Sequence, residues 1–93
     1  MEIGLDEKTI ELLREFFKSY PKVERVYLFG SRAKGSYTRG SDIDLLLIAP
    51  QMSFSEYLRL YSSLEELDLL YEIDLIKDKE LMEEGVEIYS RES

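Results

Sequence analysis

The chain has 93 residues, of which 44% are hydrophobic and 34% charged, the size and composition of one globular domain spanning residues 1–93. It contains no cysteine and no histidine, which excludes disulfides, thiolate or imidazole metal sites, and catalysis by a cysteine nucleophile or a histidine base. The net charge of −8 argues against direct nucleic-acid binding, and the longest uncharged stretch, residues 45–55, is too short to span a bilayer, so we expect a cytoplasmic protein.

The first half of the chain predicts one helix and two strands. Residues 5–20 carry apolar side chains at three- and four-residue spacing after the capping residue Asp6, and Pro21 ends this amphipathic helix. Residues 23–29 are rich in β-branched and aromatic side chains and predict a strand, after which a glycine-punctuated segment opens with a short helical turn. Residues 42–49 predict a second strand that is apolar on both faces, as in the middle of a sheet.

The second half of the chain predicts two further helices and two further strands. Ser53 and Glu56 have the spacing of a capping box and begin a helix that runs to about residue 70, with Tyr57 and Tyr61 on its core-facing side. Residues 71–77 alternate and predict a strand. A short helix over 78–85 and a strand over 86–89 complete an α/β (α+β) fold, in which helices pack on a small mixed β-sheet in the order α-β-α-β-α-β-α-β.

Acidic side chains recur on two of the predicted strands. Asp42 and Asp44 are two residues apart, so both project from one face of their strand, and Asp74 joins them if its strand pairs alongside. Carboxylates that lie close together repel one another, and Mg²⁺ neutralises such groups because it accepts all-oxygen ligation. The pattern predicts a site for two Mg²⁺ ions, or Mn²⁺ in their place, of the kind that clamps both oxygens of a phosphoryl displacement.

The one basic segment of this acidic chain covers the first predicted strand and the glycine-punctuated segment after it. Residues 22–39 contain five basic residues and one acidic residue, whereas residues 40–93 contain four and fourteen. Gly30 leaves room for a phosphate beside the main chain, and the Ser31 hydroxyl can donate to phosphate oxygens together with the N–H groups that follow it. The remaining charge of a triphosphate can be neutralised by three nearby side chains, Arg32, Lys34 and Arg39.

The glycine-serine corner and the Asp-x-Asp strand together resemble the signature of the nucleotidyltransferase fold of the DNA polymerase β superfamily. The matching segments are GSRAKG at 30–35 and GSDIDL at 40–45, and the resemblance extends from residue 23 to residue 89. The chain more closely resembles the minimal nucleotidyltransferases (MNT), which act as antitoxins beside HEPN-domain toxins.

The resemblance implies transfer of AMP from Mg²⁺-bound ATP to a hydroxyl group. It implies that Gly30 and Ser31 hold the triphosphate and that Asp42 and Asp44 ligate the metal ions. It further implies that Asp74 ligates the catalytic metal and helps to activate the acceptor. In the antitoxin branch the acceptor is a tyrosine of the toxin, an RNase that adenylylation silences, so a HEPN-domain toxin is the implied partner.

Two other functions stay open from the sequence. The chain could be a catalytically silent antitoxin that covers its toxin, since three acidic residues near its C-terminus suit a basic partner: Glu83, Glu84 and Glu87. It could also be a nucleotidyltransferase subunit that modifies the hydroxyl of a small molecule, such as an aminoglycoside, together with a separate helical subunit.

Overall fold

A computed structural model describes residues 5–30, 42–67, 71–79 and 85–91. The predicted helical turn after Gly30 and most of the predicted helix over 78–85 lie outside these ranges. The described elements, in chain order, are α1 (Glu7–Lys18), β1 (Arg25–Phe29), β2 (Ile43–Ile48), α2 (Phe54–Glu65), β3 (Ile73–Lys77) and β4 (Val86–Ser90).

The helix α1 is amphipathic, as its spacing predicts. Its side chains at Leu13 and Phe17 are fully buried. Asp6 occupies the N-cap position, but its Oδ1 accepts from the Thr9 hydroxyl at 2.5 Å and caps no backbone N–H. The helix ends two residues before the predicted end because the Ser19 N–H bonds to the carbonyl three residues back, the tighter pattern of a closing turn.

The sheet has the order β3-β2-β1-β4. The strand β1 is antiparallel to both β2 and β4, whereas β2 is parallel to β3, so the sheet is mixed, as predicted. Because β2 is a central strand, its residues Leu45, Leu46 and Leu47 are all buried although they alternate between the two faces.

Both described helices pack on the same face of the sheet. Their buried side chains join one core with alternate strand residues, which include Leu28, Leu45 and Leu75. The opposite face carries the residues between these, Asp44 and Leu46 on β2 and Asp74 and Ile76 on β3. In the described part of the chain, neither 12-residue helix has the length and apolar character needed to cross a membrane.

The predicted capping box starts α2. The Ser53 hydroxyl accepts from the Glu56 N–H at 3.2 Å, and the Glu56 carboxylate accepts from the Ser53 N–H at 3.0 Å. Lys22 donates to the same carboxylate at 2.9 Å. These bonds hold the pKa of Glu56 at about 2, with the Ser53 backbone bond the largest cause. The helix ends at Glu65 instead of near residue 70, and again N–H groups bond three residues back.

Candidate active site

Gly30 ends the first strand of the site and contacts Asp44. Gly30 has a φ of +75°, which side-chain-bearing residues rarely adopt, and Phe29 just before it pairs with Asp44 across the β1–β2 ladder. A Cβ atom placed on Gly30 would collide with the Asp44 Oδ2 atom. Among the described residues, the group that the glycine allows to come close to the main chain is therefore the Asp44 carboxylate.

Asp44 and Asp74 are direct neighbours in the parallel β2–β3 ladder. Their Cα atoms are register partners, so the two side chains project from the same face of the sheet, opposite the helices. Asp44 is partly buried and Asp74 is exposed. The sequence predicted that Asp74 joins the other acids if its strand pairs beside theirs, and the two strands do pair.

Asp42 precedes β2 and is exposed. It shares a cleft of about 400 Å³ with Asp74, beside the C-terminal half of α2 and the start of β3. The cleft is acidic, because two further carboxylates line it, Glu65 and Glu72. The three predicted acids thus fall into two pairs: Asp42 and Asp74 line the same cleft, and Asp44 and Asp74 are neighbours in the ladder.

The donor chemistry of these acids fits Mg²⁺, which takes carboxylate oxygens. Within the four described ranges, however, no three acidic side chains form a group that could hold one metal ion together. The three-way convergence predicted from the sequence is therefore not formed by these side chains, although the backbone places all three near the same end of the neighbouring strands β2 and β3. The acids therefore fit Mg²⁺ by the chemistry of their carboxylates and by their positions on neighbouring strands.

Two tyrosines of α2 reach the backbone of β3 next to Asp74. The Tyr61 hydroxyl donates to the Ile73 carbonyl at 2.8 Å, and the Tyr57 hydroxyl donates to the Leu75 carbonyl at 2.5 Å. Burial raises the pKa of Tyr57, with smaller contributions from Tyr61 and Asp74, so its hydroxyl stays protonated as a donor. The sequence predicts these side chains in the core, and their rings do pack against it. The sequence did not predict that they donate to β3, because helical spacing alone does not show which group a hydroxyl contacts.

The predicted phosphate-binding residues follow Gly30 in the sequence. Ser31, Arg32, Lys34 and Arg39 all lie in the segment 31–41, outside the described residues. Glu83 and Glu84, proposed to meet a basic partner, are likewise outside them, whereas Glu87 is exposed on β4.

Comparison with known proteins identifies the family. The family "Polymerase beta, Nucleotidyltransferase" matches residues 11–93. A candidate protein adenylyltransferase of Methanocaldococcus jannaschii is 36% identical over 84 residues, which cover 80% of this chain and 83% of the relative. The protein adenylyltransferase MntA of Shewanella oneidensis is 43% identical over 44 residues, which cover 47% of this chain and 30% of MntA.

A similar fold occurs in a solved toxin–antitoxin structure, MntA–HpeT, in a variant with two aspartates, two positions apart, replaced by glutamate. The TM-score is 0.61 and the identity 27%, and the match covers 92% of this chain and 74% of that chain. Since the family match extends over nearly the whole sequence, this chain belongs to the polymerase beta nucleotidyltransferase family.

Proposed function

We propose that this chain is an antitoxin that transfers AMP from ATP, with Mg²⁺, to a tyrosine hydroxyl of a HEPN-domain RNase toxin. Two relatives are named as protein adenylyltransferases, one of them a candidate, and the fold is similar to that in the MntA–HpeT toxin–antitoxin complex. The observation that carries the proposal is the register pairing of Asp44 with Asp74 beside Gly30.

Each acid has a role that follows from its position. Asp42 and Asp44 would hold the metal ions at the start of β2, and Mg²⁺ bound there would neutralise phosphate charge and polarise the α-phosphate. Asp74, exposed on the neighbouring strand, also binds metal and accepts the proton of the acceptor hydroxyl. The hydroxyl oxygen then bonds to the α-phosphorus, the bond from that phosphorus to the bridging oxygen breaks, and pyrophosphate leaves with the electron pair.

The pattern of the aspartates supports this assignment of roles. The two replaced aspartates of the MntA–HpeT variant have the spacing of Asp42 and Asp44 in this chain. In this proposal the triphosphate contacts come from four residues of the basic segment, Ser31, Arg32, Lys34 and Arg39.

The test is transfer of label to a protein acceptor. The chain is incubated with ATP labelled at the α-phosphate, Mg²⁺ and the HEPN-domain protein encoded beside it, and label is expected on a tyrosine of that protein. The Asp44→Asn and Asp74→Asn variants should each lose this transfer. Glu11→Gln, which removes one exposed negative charge on α1, is the matched control and should retain it.

Two results would overturn the proposed acceptor or the proposed chemistry. Equal labelling by wild type and Asp44→Asn would show that the carboxylates do not take part. Label on an aminoglycoside, with none on protein, would assign a small-molecule acceptor in place of the toxin.

A second candidate function is neutralisation of the toxin by binding alone. One observation favours it, namely that Glu87, one of the three acids suggested to meet a basic partner, is exposed on β4. In that case the double variant Asp42→Asn, Asp44→Asn would still protect cells from the toxin. Replacement of Glu83, Glu84 and Glu87 by glutamine would abolish the protection.

A further inference from the structure

The strand β3 is an edge strand of the described sheet, paired on one side with β2. The Ile43 N–H donates to the Glu72 carbonyl, and the Asp78 N–H donates to the Leu47 carbonyl. Because peptide groups alternate along a strand, the carbonyls of residues 72, 74 and 76 face β2. The carbonyls of Ile73 and Leu75, which flank Asp74, therefore face the open edge.

The helix α2 supplies a donor to each of these two edge carbonyls. Tyr61 donates to Ile73 and Tyr57 donates to Leu75, as described above. The spacing of the donors matches that of the acceptors. Four residues advance a helix by about 6 Å, and two residues advance a strand by about 6.6 Å. The two tyrosine rings, with centroids 6.0 Å apart, thus stand in line with alternate carbonyls of the strand.

We propose that Tyr57 and Tyr61 are positioning residues that hold Asp74 in place for AMP transfer by fixing the carbonyls on either side of it. This inference rests on the proposed function. Asp44, on the central strand β2, needs no such support from a helix, because its strand is paired on both sides and Asp44 itself lies against Gly30. Asp74 is exposed on a strand that has one partner in the described sheet, so the peptide groups on either side of it obtain their second set of bonds from the helix.

The loss of these bonds has a specific consequence for catalysis. Replacing each tyrosine by phenylalanine keeps the ring in the core and removes only the donor. The edge carbonyls then turn to water, and β3 gains freedom of movement relative to β2. A displacement of about 1 Å in a reacting group costs about 100-fold in rate, so a small movement of Asp74 is enough.

The experiment compares wild type with Tyr57→Phe, Tyr61→Phe and the double variant in AMP transfer to the HEPN-domain protein. We expect the double variant to lose about 10-fold or more in kcat. Its KM for ATP should stay within about twofold, as for an interaction that acts only in the transition state. Unchanged kcat in an active double variant would overturn the proposal.

Two controls separate positioning from general stability. Tyr20→Phe removes a tyrosine hydroxyl just after the end of α1, outside α2 and β3, while its ring stays against Phe16. Ser53→Ala weakens the start of α2 by about 1 kcal/mol but leaves both tyrosine donors in place. Both controls should keep wild-type kcat, and an equal loss in Ser53→Ala would overturn the proposal in favour of general destabilisation.

Amide hydrogen exchange gives a second measurement that needs no activity. Because peptide groups alternate along β3, the N–H groups of Asp74 and Ile76 face β2. Their exchange should accelerate in the double variant, whereas the exchange of the Tyr27 N–H on β1 should stay unchanged. If the wild type transfers no AMP, the proposed function fails and this measurement alone decides. Unchanged exchange at Asp74 and Ile76 would then overturn the inference, and faster exchange would support its structural part, that the two tyrosines hold β3 in place.

Discussion

Gly30 and Asp44 are in such close contact that the carboxylate of Asp44 occupies the space a side chain at position 30 would need. The glycine is also required by its backbone, since its φ of +75° disfavours every residue with a Cβ atom. A change at position 30 therefore acts on the site and on the stability of the chain together.

Gly30→Ala should lower the free energy of unfolding by about 1–2 kcal/mol through backbone strain, with a further loss from the collision with Asp44. Urea denaturation measures the total. In an Asp44→Ala background the collision is absent, so the same substitution should cost less there, and the difference is the coupling between the two residues. Strictly additive costs would contradict a direct contact.

The metal and nucleotide should stabilise the chain through Asp44 and Asp74. With MgATP at 100 times its dissociation constant, binding adds about 2.7 kcal/mol to the free energy of unfolding and raises the Tm. The Asp44→Asn and Asp74→Asn variants should show little or no rise, whereas Glu11→Gln should behave as the wild type. A wild-type Tm that does not respond to ATP with Mg²⁺ or Mn²⁺ would contradict a working site.

The capping carboxylate Glu56 should make stability depend on pH. Its pKa is lowered from 4.5 to about 2 in the folded chain, so its contribution is present above pH 4.5 and is lost as the pH falls through about 2. Glu56→Gln should remove this part of the acid dependence, as measured by Tm between those two pH values. The control Glu65→Gln, an exposed acid on the same helix, should leave it intact.

Asp78 should stabilise the junction after β3 through its side chain. It has a φ of +51°, and its Oδ1 accepts from the buried Ala49 N–H at 2.8 Å, so it links the ends of β2 and β3. Asp78→Ala leaves that N–H without its partner and should cost about 1–3 kcal/mol in urea denaturation. Asp78→Asn should cost clearly less, because asparagine tolerates this backbone and retains an acceptor. Equal costs would contradict the role of the Ala49 bond.

Local features of the fold were predictable because their causes lie within a few residues. The capping box of Ser53 and Glu56 needs only a three-residue spacing, and it forms as expected. The buried central strand was also predictable, since Leu45, Leu46 and Leu47 make both of its faces apolar. Asp78 shows the limit of such reasoning: nothing near it in the sequence indicates that its carboxylate accepts from the Ala49 N–H, 29 residues away.

By itself, the sequence singled out the candidate residues for the chemistry, because cysteine and histidine are missing and the Asp-x-Asp spacing puts two carboxylates on one face of a strand. Only the tertiary structure decided that Asp74 lies in register with Asp44, that Gly30 makes room for a carboxylate, and that two tyrosine hydroxyls hold the edge of β3. The physical reason is that strand order, register and helix docking depend on contacts between residues far apart in the chain, and local residue patterns do not encode those contacts.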